Sequence, residues 1–277
     1  MISRRVVLAG LTGLTMPTLT GCAGRPTSPR LAARPGPKTT ASPVGLDAVI
    51  DMSHLVAVTD FTLVRRHSNI LAVVHKASEG GDWRDPLYSE RRPEAEAAGL
   101  LWGAYHFGTH QYSGAEQAAA FLAAAQPGPT TIMALDLEPN ELNPANTMNI
   151  EQAEAFVLAI YQATGRLPLV YTHPIWADGG SYGRASISLG GAIGPQSILA
   201  RCDLWLADYR DEPELPLAWA ARGWRLWQYA GDVNADNGGS FDSSSRAVAG
   251  VERCDRNLFV GDAPALYRYW NGHAVSA

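Results

Sequence analysis

The sequence predicts an α/β fold, an irregular TIM-like (β/α) barrel whose helices are shortened or missing in the C-terminal half. Eight short apolar runs alternate with stretches of helical or irregular pattern, which is typical of βαβ units with parallel strand pairing. Helix-capping signals occur in two of those stretches. The later intervals are too short for full helices, so the outer ring of helices should be incomplete there.

Each predicted strand is a short apolar run bounded by glycine, proline or polar residues. The runs are residues 48–52, 70–76, 100–107, 131–137, 167–171, 204–209, 224–229 and 255–259. Between them, Ser113 followed by Glu116 forms a capping box, and Asn149 followed by Gln152 opens a second helix that Gly165 ends. These signals predict two helices, one after the third strand and one after the fourth.

The first 21 residues have the pattern of an export signal. Arg4 and Arg5 precede an apolar run that is too short for a membrane-spanning helix, which needs about 20 apolar residues. The arginine pair resembles a twin-arginine motif, and the segment Leu19-Thr20-Gly21-Cys22 resembles a lipoprotein processing box. Lipidation of Cys22 is therefore predicted, with ordinary cleavage and secretion as the alternative.

Residues 22–44 are predicted to form a flexible tether, because their composition, rich in Pro and Ser, buries too little apolar surface to fold. Residues 45–277 show no change of composition and should form one domain. The chain has 27 acidic and 22 basic residues, and loss of Arg4 and Arg5 with the signal would make it more acidic. We expect a monomeric, exported protein of the cell envelope, lipid-anchored at a membrane surface, that binds no nucleic acid.

Cys202 and Cys254 remain when Cys22 is set aside. In an oxidising compartment an isolated pair of cysteines is a candidate disulfide. The alternative is two buried thiols that act as small apolar residues. Both interpretations stay open on the sequence alone.

The strongest chemical signal is the pair of acids at the end of the fourth apolar run. Asp136 and Glu138 are separated by one residue, so on an extended strand their side chains point to the same side. Barrels of this class place their active sites at the carboxyl ends of their strands. Two neighbouring carboxylates disfavour double ionisation, which keeps one of them protonated as a general acid requires.

Further acids and aromatic residues lie near the ends of other predicted strands. The acids are Asp51, Asp208 and Asp255, and the accompanying polar and aromatic residues are Tyr105, Tyr171, Trp205, Tyr209 and Gln228. The aromatic side chains suit either a sugar-binding groove or the barrel core, and the amide of Gln228 is a candidate partner for a sugar hydroxyl. Acids combined with aromatic surfaces favour a glycan-cleaving site.

The order of several short motifs resembles glycoside hydrolase family 25, the Chalaropsis-type lysozymes, across residues 45–261. The motifs are Ile50-Asp51-Met52-Ser53-His54, Val74-His75-Lys76-Ala77-Ser78-Glu79-Gly80, Gly103-Ala104-Tyr105-His106-Phe107, Leu135-Asp136-Leu137-Glu138, Leu169-Val170-Tyr171-Thr172, Leu204-Trp205-Leu206-Ala207-Asp208-Tyr209, Leu226-Trp227-Gln228-Tyr229 and Asp255-Arg256-Asn257-Leu258-Phe259.

This resemblance implies a peptidoglycan hydrolase that cleaves the bond between N-acetylmuramic acid and N-acetylglucosamine with retention, without metal or organic cofactor. Glu138 would be the general acid and base. Asp136 would assist the acetamido group of the substrate or stabilise the oxocarbenium charge. Asp51 and Asp255 would line the floor of the site.

Some features depart from the family pattern. His54 is followed by Leu55-Val56 where the family often has Trp-Gln, and residues 178–196 and 230–249 are long polar loops that could reshape the cleft. A catalytically silent glycan-binding lipoprotein, or a hydrolase of another amino-sugar polymer such as chitin, are therefore the alternative functions.

Weaker signals are interpreted as structural. His106 and His110 lack the glutamate of a metalloprotease helix, and the acidic stretch of residues 232–236 lacks the glycine and glutamate of a calcium loop. Glu79 is either a site residue or an exposed turn glutamate. No metal site is predicted.

Overall fold

The computed structural model describes residues 45–183, 185–231, 248–252 and 254–272. The strands are β1 Leu46–Met52, β2 Ala72–Glu79, β3 Trp83–Arg84, β4 Leu101–Phe107, β5 Ile132–Asp136, β6 Leu169–Thr172, β7 Ser181–Tyr182, β8 Ile187–Ser188, β9 Leu204–Ala207, β10 Trp224–Ala230 and β11 Asp255–Phe259. The α-helices are α1 Phe61–His67, α2 Tyr88–Ala97, α3 Gly114–Ala125, α4 Ile150–Thr164, α5 Pro174–Ala177 and α6 Ala263–Gly272.

Eight of these strands close into a barrel. The hydrogen-bonded order is β1-β11-β10-β9-β6-β5-β4-β2, and pairing of β1 with β2 closes the circle. The two-residue strand β3 extends β2 as a hairpin, and β7 pairs with β8 in a separate ribbon. The predicted barrel is confirmed, and each of the eight predicted runs corresponds to one of its strands.

The parallel pairing predicted between several of the runs is confirmed, and the last strand is an exception to it. β11 runs antiparallel to both of its neighbours, β10 and β1, whereas the other barrel pairs are parallel. A parallel strand has to be reached by a crossover that returns the chain to the starting edge. β11 begins instead at the edge where β10 ends, as its register with β10 shows.

The predicted helices and their incompleteness in the second half are confirmed. Ser113 and Asn149 each accept a hydrogen bond from the backbone three residues later, in complete capping boxes, and Gly165 ends α4 in the left-handed conformation. Among the described residues, the helical segments between β6 and β9 are the four-residue α5 and the 3-10 turn Leu199–Arg201, and between β9 and β10 there is only the 3-10 turn Leu217–Trp219. The barrel wall is therefore less covered on that side.

Two apolar layers hold the barrel. Side chains that point outward from the strands pack under the helices, as Trp102 and Leu135 do. Side chains that point inward fill the lower barrel together with Leu266 and Trp270 of α6. The indole of Trp270 is fully buried and donates to the carbonyl oxygen of Trp102 at 3.0 Å. Helix α6 thus closes the end of the barrel opposite the carboxyl ends of the parallel strands.

The two cysteines of the domain are not joined by a disulfide, so the predicted bridge is not present. Cys202 and Cys254 are both buried in the outer apolar layer, which is the alternative that the sequence left open. Cys202 Sγ donates to the carbonyl oxygen of Ile198 at 3.6 Å, and burial raises the pKa of its thiol to about 12. Cys202 therefore acts as a packing residue.

The predictions for the signal peptide of residues 1–21, the tether of residues 22–44, lipidation at Cys22 and the acidic stretch of residues 232–236 lie outside the described residues. Within the described ranges, no helix is long and apolar enough to cross a bilayer.

Candidate active site

The two acids of the fourth predicted run lie at the open end of the barrel. Asp136 is the last residue of β5, and the backbone N–H of Leu137 donates to the carbonyl oxygen of Tyr171, so pairing with β6 continues past the strand end. Leu137 is buried in the outer apolar layer. Because side chains alternate, Asp136 and Glu138 project to the opposite, inner side.

Glu138 lines a cavity of about 320 Å³ at this end of the barrel. Five of its lining residues are ring-bearing: Phe107, Tyr171, His173, Tyr182 and Tyr209. The other lining residues are Lys76, Glu79, Pro139, Asn140, Glu141, Leu142 and Ala207. Glu138 is half-buried, whereas Asp136 is buried and is not part of the cavity lining. A ligand in the cavity therefore contacts Glu138 directly, and Asp136 lies behind the cavity wall.

Asp51 and Asp255 lie next to each other at the same end of the barrel as Asp136 and Glu138. They are register partners at the ends of β1 and β11, and their carboxyl groups hydrogen-bond to each other. Asp51 Oδ2 also accepts from Asn257 Nδ2 at 2.7 Å and from Gln228 Nε2 at 3.0 Å. Asp51 thus lies in a network of buried polar side chains that includes Asp255.

Gln228 connects the acids to the aromatic wall. Its amide nitrogen donates to Asp51 at 3.0 Å and to Asp255 at 3.4 Å, while its oxygen accepts from the hydroxyls of Tyr171 at 2.8 Å and Tyr209 at 2.7 Å. Two donors and two acceptor positions are all that an amide side chain has. The predicted role in binding a sugar hydroxyl is therefore not supported, because all hydrogen-bonding positions of the Gln228 amide are used. Its oxygen instead fixes the hydroxyl groups of Tyr171 and Tyr209.

Tyr105 and Trp205 lie in the barrel interior, outside the cavity lining. The indole of Trp205 donates to Asn257 Oδ1 at 2.6 Å and meets the rings of Tyr105 and Tyr171 edge-on, with centroids 6.1 and 4.9 Å away. Trp205 is fully buried. Of the six residues predicted to bind substrate, Tyr171 and Tyr209 reach the cavity wall, whereas Tyr105 and Trp205 support it from below.

Asp208 was predicted to contact substrate, but its carboxylate is already occupied by a neighbouring loop. Both oxygens accept hydrogen bonds from the guanidinium of Arg210, at 2.9 and 2.6 Å, and Oδ2 also accepts from the backbone N–H of Glu214. Although burial alone would raise it, these bonds hold the pKa of Asp208 below its ordinary value. Asp208 therefore orders the loop after β9.

Lys76 is a site residue that the sequence analysis missed. Its ammonium group forms an ion pair with Glu79 at 2.7 Å and lies 5.0 and 4.8 Å from the ring centres of Trp83 and Phe107. This arrangement assigns Glu79 to the site. The alternation of β2 was the available signal, because Lys76 faces the same side as the inward Ala72 and Val74.

The environment raises the pKa of the acids. Burial raises the pKa of Glu138 to about 7, with Glu141 and Asp51 acting in the same direction and Lys76 opposing them. Burial and the negative charge of Glu138 raise the pKa of Asp136 well above its ordinary value. Burial raises the pKa of Asp51 to about 6, against the hydrogen bonds from Asn257 and Gln228. At neutral pH the cluster therefore retains protons.

Asp136 has an unsatisfied oxygen. Its Oδ1 is buried and has no hydrogen-bond partner in the part of the chain that the structure describes. A buried acceptor without a donor costs about 1–3 kcal/mol, and such groups call for a functional explanation.

The histidines that were weighed as metal ligands have other partners. His106 is buried, with Nδ1 accepting from Ser78 Oγ at 2.9 Å and Nε2 donating to Gln117 Oε1 at 3.2 Å, and burial lowers its pKa to about 3. His110 Nδ1 lies 3.0 Å from Gln152 Oε1. Within the described ranges, no group of three or more His, Cys, Asp or Glu side chains has a metal-binding arrangement.

The segment after β1, where the sequence departs from the family pattern, forms part of the outer rim. His54 donates its backbone N–H to Asp85 Oδ2, and its ring Nδ1 lies 3.0 Å from the same oxygen. The ring of Trp83 lies 5.4 Å away. Leu55 is exposed and Val56 is buried. Both side chains are aliphatic, so neither can form a hydrogen bond to a ligand.

Comparison with known proteins identifies the family. The model of "Glycosyl hydrolases family 25" matches residues 50–237. Lysozyme M1 of Streptomyces globisporus is 26% identical in an alignment of 254 residues that covers 86% of this chain and 75% of that protein. The bacterial lysozyme of Streptomyces coelicolor superposes with a TM-score of 0.63 at 25% identity, covering 83% of this chain and 99% of the other. The muramidase of Acremonium alcalophilum superposes with a TM-score of 0.61 at 27% identity, covering 80% and 98%. The chain therefore belongs to glycosyl hydrolases family 25 and is a glycoside hydrolase.

Proposed function

We propose that the enzyme is a lysozyme that cleaves the β-1,4 bond between N-acetylmuramic acid and N-acetylglucosamine in peptidoglycan, with retention of configuration. The observation that carries the proposal is that Glu138, with its raised pKa, lines an aromatic-walled cavity at the open end of the barrel. The relatives named above are lysozymes and a muramidase, which supports the same substrate.

Glu138 is the proposed general acid. With a pKa of about 7, a large fraction of its carboxyl groups is protonated at neutral pH. In the first step this proton goes to the glycosidic oxygen as the bond to C1 breaks, so the leaving sugar departs as a neutral alcohol. In the second step the resulting carboxylate takes a proton from the attacking water. The same residue is thus acid and then base.

Asp136 is proposed to act on the acetamido group of the substrate. The free Oδ1 atom accepts the acetamido N–H, which makes the acetamido oxygen a better internal nucleophile. That oxygen attacks C1 while the leaving group departs, and water then displaces it from the opposite face. Two inversions give net retention. A carboxylate at this position also stabilises the oxocarbenium charge that develops in between.

Asp51 and Asp255, which are register partners, are proposed to form the floor of the site. They hold a sugar or tune the two acids above them. The mechanism assigns no step to a metal or an organic cofactor.

The site of action is proposed to be the cell envelope. Peptidoglycan lies outside the cytoplasmic membrane, and the pattern of Arg4, Arg5 and Cys22 is typical of an exported, lipid-anchored protein. The monomeric state stays a prediction.

The test is product analysis with two polymers. The protein is incubated with purified peptidoglycan and, separately, with chitin oligomers, and new reducing ends are identified by mass spectrometry. We expect cleavage of peptidoglycan that leaves N-acetylmuramic acid at the reducing end. Glu138→Gln should abolish it with the fold retained, because the amide keeps the shape and has no transferable proton. Glu94→Gln, an exposed change on α2, is the matched control.

Three outcomes would contradict the proposal. Undiminished cleavage by Glu138→Gln would show that the acid is misassigned. Cleavage of chitin oligomers alone would make the enzyme a hydrolase of another amino-sugar polymer. Binding of peptidoglycan by the wild type without any new reducing end would leave a glycan-binding lipoprotein.

A further inference from the structure

The ribbon of β7 and β8 adds one aromatic side chain to the cavity. It lies within the Gly- and Ser-rich loop of residues 178–196, outside the barrel sheet. Tyr182 at the end of β7 lines the cavity that contains Glu138. This residue belongs to neither the barrel strands nor the carboxylate cluster, and the mechanism above does not use it.

Tyr182 is held from behind by His173. The two rings are stacked, with centroids 3.8 Å apart and an interplanar angle of 25°. His173 follows β6 directly and precedes α5, so it is placed by the barrel itself. Burial lowers the pKa of His173 to about 4, so its ring is neutral at physiological pH. One face of the tyrosine ring is therefore covered by a rigidly placed neutral partner.

The ribbon also packs on the loop that follows the two catalytic acids. Gly183 has φ +76°, and a Cβ atom added to it would lie 2.2 Å from Glu141 Oε1. A side chain at Gly183 would be strained by the backbone conformation and would push against Glu141. Glycine thus permits the close approach of the ribbon to the loop carrying Glu138, Glu141 and the cavity rim.

The phenol of Tyr182 stays protonated in this position. Burial raises its pKa to about 12, and the negative charges of Glu138, Glu141 and Asp208 act in the same direction. The hydroxyl group can therefore donate a hydrogen bond as well as accept one. The uncovered part of the ring offers an apolar surface next to it.

We propose that Tyr182 is a specificity-determining residue, which holds a sugar ring of the substrate against Glu138 with His173 as its support. The inference rests on the proposed function only for the identity of the sugar. A rigid aromatic side chain with a polar tip provides both the contact area and the orientation that a saccharide needs, at little entropic cost.

Binding measurements test this independently of catalysis. The probe is a tetrasaccharide of alternating N-acetylglucosamine and N-acetylmuramic acid, titrated calorimetrically into the full chain carrying Glu138→Gln. Adding Tyr182→Ala should weaken binding at least 10-fold, whereas Tyr182→Phe, which keeps the ring, should weaken it by less than about 5-fold. The control is Tyr161→Ala on α4, where the tyrosine is 44% exposed, and it should leave binding unchanged.

Steady-state kinetics separate a binding role from a structural one. With Glu138 intact, Tyr182→Ala should raise KM with kcat within about threefold of wild type, which is the signature of lost uniform binding. His173→Ala should have a smaller effect of the same kind, and combining it with Tyr182→Ala should add nothing, because support matters only while the tyrosine is present.

Equal binding by the Glu138→Gln protein with and without Tyr182→Ala would overturn the inference, as would the absence of any binding. An additive effect of His173→Ala would remove the supporting role of that residue. If the wild type binds the tetrasaccharide through Tyr182 and does not cleave peptidoglycan, the proposed function fails and the present inference stands.

Discussion

Replacing Gln228 with leucine should destabilise the protein far more than its small change in volume suggests. The side chain is 2% exposed and makes four hydrogen bonds, to Asp51, Asp255, Tyr171 and Tyr209. Leucine has a similar size but offers no hydrogen-bonding group. The change therefore removes a partner from the buried hydroxyl of Tyr171, the half-buried hydroxyl of Tyr209 and two carboxyl groups in one step.

The expected loss can be worked from these contacts. Each buried polar group left without a partner costs about 1–3 kcal/mol. Asp51 keeps Asn257, so the two tyrosine hydroxyls dominate the sum and the loss should be at least about 2 kcal/mol. For a domain of this size, 1 kcal/mol corresponds to about 2–4 °C in Tm, so we predict a fall of at least about 4 °C.

Differential scanning calorimetry and urea denaturation of the wild type, Gln228→Leu and Gln162→Leu provide the measurement. Gln162 is exposed on α4, and its replacement should change stability by less than about 0.5 kcal/mol. Gln228→Leu should also lower kcat, because Tyr171 and Tyr209 lose their common acceptor. A Tm of Gln228→Leu within 2 °C of wild type would refute the assignment of Gln228 as the link between acids and aromatic wall.

Four further predictions concern Glu138, Trp270 and the two cysteines. Activity should fall as the pH rises through about 7, because Glu138 must carry a proton. Binding of the glycan, measured in the same buffers, should not show this fall. A raised carboxyl pKa means that the folded state binds the proton more tightly than the unfolded state does. The free energy of unfolding should therefore decrease as the pH rises from 4.5 to about 7. Urea denaturation should show a smaller decrease for Glu138→Gln. Trp270→Ala should cost about 3–5 kcal/mol by leaving a cavity at the closed end of the barrel, measured by the same method, and a loss under 1 kcal/mol would contradict that packing. Dithiothreitol should leave Tm unchanged, because no disulfide joins Cys202 to Cys254, and a large fall would contradict this.

The strands could be predicted because each is a short apolar run with clear boundaries. The predicted run 255–259 coincides with β11, and the other seven differ by at most three residues at either end. The capping boxes at Ser113 and Asn149 were equally readable, since both partners of each box lie within three residues of each other. Local signals of this kind need no knowledge of the tertiary structure.

The roles of polar residues were harder to predict, because they depend on convergence of distant segments. The sequence predicted that Gln228 binds a sugar hydroxyl, but in the structure its oxygen accepts hydrogen bonds from the hydroxyl groups of Tyr171 and Tyr209. Asp208 is different, because its partner Arg210 is only two residues away. That spacing could have indicated an internal ion pair in place of a substrate contact.

Tyr182 had no usable signal at all. It lies in a strand of two residues surrounded by glycine and serine, where hydrophobic periodicity cannot operate. Its position depends on the stack with His173 and on the close approach of Gly183 to Glu141. Both contacts join segments that are separate in the sequence, so only the folded chain brings them together.

The direction of β11 was nevertheless encoded in the position of its acid. In β1 and β5 the acid, Asp51 or Asp136, follows the apolar run, whereas Asp255 precedes it. Side chains can gather at one edge of a barrel only if that edge is reached at the end of a parallel strand or at the start of an antiparallel one. The register Asp51↔Asp255 shows the second case. The position of Asp255 before its apolar run therefore fits a reversed strand because Asp255 joins Asp51, whereas Asp203 precedes the parallel strand β9 and lies at the opposite edge.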